Sequence, residues 1–435
     1  MLKKGILAFA LLLSFSLELF SQDEIESQLR KHVNALTADS LMGRSVGSKG
    51  ESIASDYIYK VFREAGITNL YTKSGQDFSF VSDKGDTVYS KNVVAIIEGY
   101  DPLLKNEFVL IGAHYDHLGF NKIKIDGKDT FQIYSGADDN ASGVATLLEV
   151  AKQIKNEAFN FKRSVIIAAF GAEEAGLMGS WYFVNRAFNY TDKIGLMINL
   201  DMVGRSGGDN FPRVYTVLPG VELSTMLKDI SDLPAMISPK IYSNDYFPSD
   251  HQPFSSKGIP VALITTGNHR DYHTIKDLPE NLDYKTMAEI SRYVFELAKS
   301  SANLGKPFPK TALADKQPAV GKDTTDKVYS TFDADEPPTF LHGDQRQFLD
   351  KWVYDYIKYP KASVEAGIQG RVIVEFIVEK NGEVSSVEVV KSVDDALDAE
   401  AVKVVKASPK WKPGIKGGEP VRVKIAVPIE FKLKR

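Results

Sequence analysis

Residues 163–174 read RSVIIAAFGAEE: an unbroken apolar run, a glycine, then two adjacent glutamates. A short continuous apolar run bounded by turn residues is the pattern of a strand covered on both faces, as in a parallel sheet. NVVAIIEG (92–99), EFVLIGAH (107–114), IGLMINLD (194–201) and VALITT (261–266) have the same character. Between two of them, SGVATLLEVAKQI (142–154) spaces its apolar residues as an amphipathic helix does. Short buried strands alternating with helices predict an α/β domain with a mostly parallel, mixed central sheet flanked by helices. Upstream, helices are expected over 23–37 and 49–66, the second with Ile53, Tyr57, Val61 and Phe62 on one face and Gly66 as its stop.

The chain of 435 residues is 43% hydrophobic, enough for more than one core. Its net charge of −4 supplies no basic field, so nucleic acid is not expected as a partner. The opening MLKKGILAFALLLSFSLELFSQ has a basic start and an apolar stretch interrupted by Ser14, Ser16 and Glu18. It is short for a membrane span, which needs about 20 apolar residues. It reads as an export signal over 1–21, and no stable transmembrane segment is expected after its removal. There is no cysteine, which excludes lipoprotein attachment and disulfides. Residues 22–303 are expected to form the α/β domain. The proline- and charge-rich stretch 304–344 lacks periodicity and reads as a linker. Residues 345–435 then read strand–strand–helix–strand: RVIVEFIV, a turn at KNGE (380–383), VSSVEVV, DDALDAEAVKVVKAS and VRVKIAVPIEF, a small α+β domain.

The chemistry clusters at predicted strand ends, where open α/β sheets bind ligands. Strand 107–113 ends in His114, Asp116 and His117, strand 163–170 in Glu173 and Glu174, and strand 194–200 in Asp201. Asp138 and Asp139 precede a helix, and His273 lies on the loop after strand 261–266. One such aspartate is ordinarily a cap or turn residue. Several ligand-type residues on one rim imply a cation. Histidine with carboxylate and no cysteine is the donor set of a hydrolytic zinc centre, which Mn or Co also accept. The carboxylates suffice to bridge two metals about 3.5–4 Å apart. One of the two adjacent glutamates can then bind metal while the other takes a proton from water.

These pieces together resemble the zinc-dependent exopeptidases of the M28 family, its aminopeptidases in particular. The resemblance rests on LMGRSVGSKG (41–50), GAHYDHLG (112–119), SGADDNASGVATLLEVA (135–151), AAFGAEEAGLMGS (168–180), NLDMVGR (199–205), SDHQPF (249–254) and DYHTIKD (271–277), in family order. It implies the zinc exopeptidase fold and two Zn2+ ions. Asp139 would bridge them, with His114 and Asp201 completing one site and Glu174 and His273 the other. It further implies Glu173 as general base acting on metal-bound water, Asp116 orienting His114, and Tyr246 helping to hold the oxyanion. Some relatives flank that tyrosine with a disulfide, where this chain has Asn244 and Pro248. His117 and His251 are expected near the centre without binding metal. His269 is weighed as a cleft residue, and Arg44 as a structural loop arginine rather than a substrate contact. Asp138 is expected to cap the helix or support its neighbour, and His32 and His342 to be surface or packing residues. Phe247, Met202 and Tyr272 are weighed as walls of an apolar pocket.

Residues 359–431, with Pro409-Lys-Trp411-Lys-Pro413 at their densest point, resemble the C-terminal domain of TonB. That resemblance implies an exported protein of the Gram-negative periplasm or outer envelope, or a secreted one. It also implies an envelope protein partner, or self-association, through residues 345–435, for example by strand addition. The expected activity is removal of N-terminal residues from peptide substrates. Other readings are a carboxypeptidase or dipeptidase on the same centre, a single-zinc glutaminyl cyclase, and an inactive scaffold acting through its C-terminal domain.

Overall fold

The computed structural model describes residues 22–71, 75–81, 86–125, 128–216, 221–243, 248–310, 327–331, 334–340 and 348–433. The export signal expected over 1–21 lies outside them, as do Asn244, Tyr246, Phe247 and His342. The chain divides into two compact units, one reaching Lys316 and the other running from Gln317, with Val81–Asp86 grouped with the second. Among the described residues no helix is long and apolar enough to cross a membrane.

The first unit opens with helices α1 (22–36) and α2 (Lys49–Glu64). Ser48 caps α2 by accepting the Glu51 amide at 3.1 Å. The buried face of α2 carries Ala54, Ile58, Val61 and Phe62, whereas Ile53 is exposed. The expected stripe was therefore rotated at its start. The small Gly50 and Ala54 let the helix approach its neighbours, and Gly50 lies against Leu41.

The strands in chain order are β1 (Thr68–Asn69), β2 (Gln76–Val81), β3 (Thr87–Ile97) and β4 (Phe108–His114), then a hairpin of β5 (Phe120–Ile125) and β6 (Lys128–Ile133). After these come β7 (Ser164–Phe170), β8 (Ile194–Leu200), β9 (Arg213–Tyr215), β10 (Lys240–Tyr242) and β11 (Val261–Thr265). They form a nine-stranded sheet in the order β1-β3-β7-β4-β8-β11-β9-β10, with β2 on β3, while the β5–β6 hairpin stands apart. The inner four strands, β7, β4, β8 and β11, are mutually parallel, and antiparallel β3 and β9 flank them. Every residue of β4, β7 and β11 is buried, which accounts for their unalternating apolar sequences. Helices α3 (Gly143–Asn156), α4 (Val221–Ser231) and α5 (Tyr284–Ala302) are the longer helices of the rest of the unit, among the described residues. Gly112 is a glycine in mid-strand because an added Cβ would stand 2.6 Å from the ring of Phe170.

Topology and register together create the site. From β4 the chain passes through α3 to β7 on one side, then returns to β8 on the other. That reversal opens a crevice at the carboxyl ends of the strands. His114 pairs with Phe170, and Gly112 with both Ala168 and Asn199, so the ends of β4, β7 and β8 lie level.

The second unit is a five-stranded sheet of β12 (Val328–Ser330), β13 (Gly370–Val378), β14 (Val384–Lys391), β15 (Gly414–Lys416) and β16 (Glu419–Phe431), in the order β12-β16-β13-β14 with β15 on β16. Helix α6 (Asp395–Lys406) packs on β13 and β14, its first turn capped by Asp394. Phe340, Phe348 and Phe376 surround Trp411 with ring centroids 5.0–5.6 Å from it. The stretch 304–344 is thus not linker throughout. Phe308 is buried in the first unit's core, β12 joins β16, and Phe340 is buried in the second core. Isolated apolar residues in a polar stretch, without periodicity, concealed those attachments.

Candidate metal centre

The rim at the strand ends gathers imidazole and carboxylate groups from five loops. Those of His114, Glu173 and Asp201 form one cluster, and those of His117, Asp139 and Glu174 a second. Asp139 connects them. Its Oδ1 lies 3.3 Å from His114 Nε2, and its Oδ2 lies 3.0 Å from His273 Nε2. Asp201 Oδ1 stands 3.5 Å from His114 Nε2, and Glu174 Oε1 stands 3.4 Å from His273 Nε2. Donor atoms of one tetrahedral ion stand about 3.3 Å apart when each bond is about 2.0–2.1 Å long, so these separations are those of ligands around a common centre. Oδ2 of Asp139 and Nε2 of His273 are buried and make no hydrogen bond, although they face each other. Convergent donors without hydrogen-bond geometry fit a cation. The donor set suits zinc, and equally Mn or Co.

Backbone constraints aim these side chains. Ala172, Met202 and His273, each a ligand-type residue or the neighbour of one, have φ of +59°, +56° and +55°. Left-handed conformations at residues with side chains are disfavoured and concentrate at functional sites. The carboxylate of Asp116 accepts the amides of Glu173 at 2.9 Å and Glu174 at 3.2 Å, which shapes the turn that sends the two glutamates to different clusters. Ser249 donates to Asp201 Oδ2 at 2.6 Å and accepts from Asn199 at 2.8 Å, leaving Asp201 Oδ1 turned to His114.

The turn GADDNASG is the hub of the rim. Asp139 faces the clusters, and its polar neighbours fasten other loops. Asp138 Oδ1 accepts the Gly204 amide at 2.6 Å, and its Oδ2 lies 3.2 Å from His269 Nε2. Asn140 binds the Leu200 carbonyl and the Met202 amide, and Ser142 accepts the Val203 amide. Small residues between them let three chain segments approach. An added Cβ at Gly143 would stand 2.6 Å from the Leu200 carbonyl oxygen.

The electrostatics are those of crowded opposite charges. Burial would lower His114, but Glu173, Asp139 and Asp201 hold it well above its usual range. Burial likewise opposes His273, and Glu174 and Asp139 carry it up to about 10. Against burial, His273 and His117 bring Glu174 down to about 2, and His114 with its neighbours brings Asp139 well below the usual carboxylate range. Glu173 goes the other way. Burial, Glu174, Asp201 and Asp250 push it well above that range, with His114 opposing. The adjacent glutamates are therefore driven apart, one an anion and one a proton carrier.

All five expected ligands converge here, as does Glu173. One detail differs from expectation. The Asp116 carboxylate is 3.8 Å from His114 Nδ1, which instead meets the Asp116 carbonyl at 3.3 Å, because the two amides of the glutamate turn engage the carboxylate. His117 lies at the centre as expected, its Nδ1 3.0 Å from Glu174 Oε1 and 3.7 Å from Asp139 Oδ2. Arg44 is buried, giving its donors to the carbonyls of Leu36, Tyr115, Ser135 and Gly136. His269 is turned to Asp138, and His251 and Met202 are buried. Tyr272 stacks on His273 with centroids 3.8 Å apart. His32 is buried between Tyr57 and Glu149. Tyr246 lies outside the described residues. Sequence reasoning passed over Ser249 and Asp277, although both stand inside quoted motifs.

Residues 92–298 match the model of Peptidase family M28, and residues 355–433 that of the Gram-negative bacterial TonB protein C-terminal. The second domain type is characteristic of Gram-negative periplasmic and outer-envelope proteins, and it gives the chain an exported location there. A probable zinc metalloprotease of Pyrenophora tritici-repentis (strain Pt-1C-BFP) is 32% identical over 197 residues, covering 44% of this chain and 43% of its own length. This chain spans only 40% of two further fungal proteins so named. Among solved structures, an aminopeptidase from Aneurinibacillus sp. strain AM-1 aligns with a TM-score of 0.52 at 16% identity, over 66% of this chain and 96% of its own. Glutaminyl cyclase of Porphyromonas gingivalis aligns with a TM-score of 0.51 at 21% identity, over 64% of this chain and 98% of its own. Those two structures share the fold, and the fold is common to both activities.

Proposed function

Because residues 92–298 form a peptidase family M28 domain and residues 355–433 a TonB C-terminal-like domain, we propose that the chain is an exported di-zinc aminopeptidase. It removes N-terminal residues from peptides. The observation that carries this reading is the division of Asp139, one oxygen toward His114 and the other toward His273. His114 and Asp201 would hold one ion, Glu174 and His273 the other, and Asp139 would serve both. When bound, such a pair acidifies water and polarises the scissile carbonyl. Glu173 takes the proton from water and returns it to the leaving amine. Burial and the neighbouring carboxylates raise its proton affinity, which makes the ionised carboxylate a stronger base than an ordinary glutamate. Asp116 fixes the turn that carries Glu173, and Ser249 fixes Asp201. His117, hydrogen-bonded to Glu174, orients that ligand. Tyr246 is proposed to hold the developing oxyanion.

The second unit is proposed to recruit an envelope partner or a second copy. β14 ends the sheet order, and among the described residues it pairs with β13 alone. Such an edge can accept an added strand.

The test is hydrolysis of free and N-acetylated leucyl, alanyl and lysyl peptides, before and after chelation and zinc return. Cleavage limited to free amino termini and lost with metal is the expected result. A folded protein holding two zinc ions that cleaves none of them defeats the aminopeptidase reading. Peptides blocked at one end or the other then distinguish carboxypeptidase and dipeptidase activity, and N-terminal glutaminyl peptides test cyclisation.

A further inference from the structure

The loop that follows β11 supplies more than His273. Four residues on, Asp277 is fully buried, with its carboxylate against the backbone of the GADDNASG turn. It accepts the Asp138 amide at 3.0 Å on Oδ1 and 2.9 Å on Oδ2, and the Asp139 amide at 3.0 Å on Oδ2. Its carbonyl accepts the Ala137 amide at 3.2 Å. Three successive amides, ending at the residue that divides its oxygens between the two clusters, are thus tied to one side chain and its backbone.

A helix cap does not account for this. The amides held by Asp277 open an irregular turn, Ala137–Ser142, that leads into α3 but breaks from helical torsions at Asp139 (φ −106°, ψ 92°) and Asn140 (φ −132°, ψ 42°), so no regular helix is there to be capped. Filling hydrogen bonds does not account for it either. A serine, an amide or a water would satisfy these donors without setting a third buried carboxylate beside Asp138 and Asp139, where like charges oppose one another. The arrangement is intelligible if the turn must be held with Asp139 advanced toward cations that offset the charge.

We infer that Asp277 is a positioning residue for the metal pair: it locks the backbone of the bridging Asp139 from the same loop that delivers His273. The spacing between His273 Nε2 and Asp139 Oδ2 is then set inside one short segment. That segment is braced internally, with Thr274 Oγ1 on the Asp271 carbonyl at 2.8 Å and the Asp277 amide on the Thr274 carbonyl at 3.3 Å. Asp201 and His114 have anchors of their own, in Ser249 and in β4. Loss of Asp277 should therefore weaken chiefly the ion held by His273 and Glu174.

This inference rests on the two-ion reading, and the test separates the two. Metal-free full-length protein is titrated with zinc against a chromophoric chelator, for wild type and Asp277→Asn, with thermal melting of both metal-free forms alongside. The expected result is two ions in the wild type. In the variant, the weaker-bound ion should be lost by roughly ten- to a hundredfold in affinity, with the metal-free melting transition retained. Equal affinities in a two-ion wild type overturn the inference and leave the functional reading standing. A wild type that takes up no second ion overturns both. If the variant does not fold, amide exchange in metal-free wild type decides: protection at Asp138 and Asp139 supports the lock, and free exchange there overturns it.

Discussion

His273 Nε2 stands 3.0 Å from the Asp139 oxygen that faces away from His114. Without metal this is an imidazolium against a carboxylate, with His273 raised to about 10 and His114 also well above its usual value. Each histidine must lose its proton to bind a cation. Zinc affinity should therefore rise with pH from about 6.5 toward 10, because the proton competes less. Near pH 7.5 the uptake of two ions should release roughly two protons from the histidines, with a further contribution from Glu173 as the ions' charge favours its carboxylate. Calorimetry in buffers of different ionisation enthalpy measures that number. A release near zero would mean that the histidines are neutral in the metal-free protein.

Glu173→Gln keeps the size of the side chain and removes its proton acceptor. If Glu173 is the base, kcat/KM should fall by about 10²–10⁴, with little change in KM. Zinc stoichiometry should stay the same, because His114, Asp139, Asp201, Glu174 and His273 remain. A variant that instead loses an ion would make Glu173 a ligand, a role its place beside His114 and Asp201 also allows.

The sheet was legible in the sequence because β4, β7, β8 and β11 are buried on both faces, and that demand leaves unbroken apolar runs. His114, Glu174 and Asp201 were legible because each follows such a run at a strand end, Asp139 because it stands in an acidic turn before a helix, and His273 because it lies on the loop after β11. Their anchors were not. Asp277 and Ser249 act through hydrogen bonds to backbone groups or side chains far away in sequence, and no local period records such a partner. Arg44 was legible as a structural loop arginine, but its four carbonyl partners were not. The same holds for β12 and Phe340, whose attachment to the second unit depends on surfaces built by later strands.

Glu51 provides a test away from the ligands. Its carboxyl is buried, bonded to the Ser90 hydroxyl and to the Gly47 amide at 2.6 Å. Burial pushes it up to about 7. The folded protein therefore binds this proton more tightly than the unfolded chain does. That contribution is intact below about pH 4.5 and is lost as pH rises to about 7. Glu51→Gln, which cannot ionise, should gain stability relative to wild type by about 2–3 kcal/mol between pH 5 and pH 8. Urea unfolding of metal-free protein at the two pH values measures the difference. No change between them would place the carboxyl in ordinary solvent-like surroundings.

Arg44 is buried with Nε on the Tyr115 carbonyl at 2.9 Å, Nη1 on Leu36 and Ser135 at 2.7 Å, and Nη2 on Gly136 at 3.0 Å. It so ties the HYDH segment to the start of the GADDNASG turn. Burial lowers it to about 10, with Asp139, Asp116, Asp277 and Glu174 opposing, so it remains a cation at neutral pH. Two effects follow from removing it, and they separate experimentally. Arg44→Met strands the carbonyls and should destabilise the first unit by about 3 kcal/mol or more. It also leaves the carboxylates without their fixed positive charge, and bound zinc ions would compensate for that loss. The destabilisation should accordingly be larger in metal-free than in zinc-loaded protein. Arg44→Lys retains the charge without the planar fork, so its loss should be nearly the same in both forms. Denaturant unfolding of the three proteins with and without zinc reads both effects. A Met variant destabilised equally in the two forms would reduce Arg44 to a carbonyl tie with no electrostatic part in the centre.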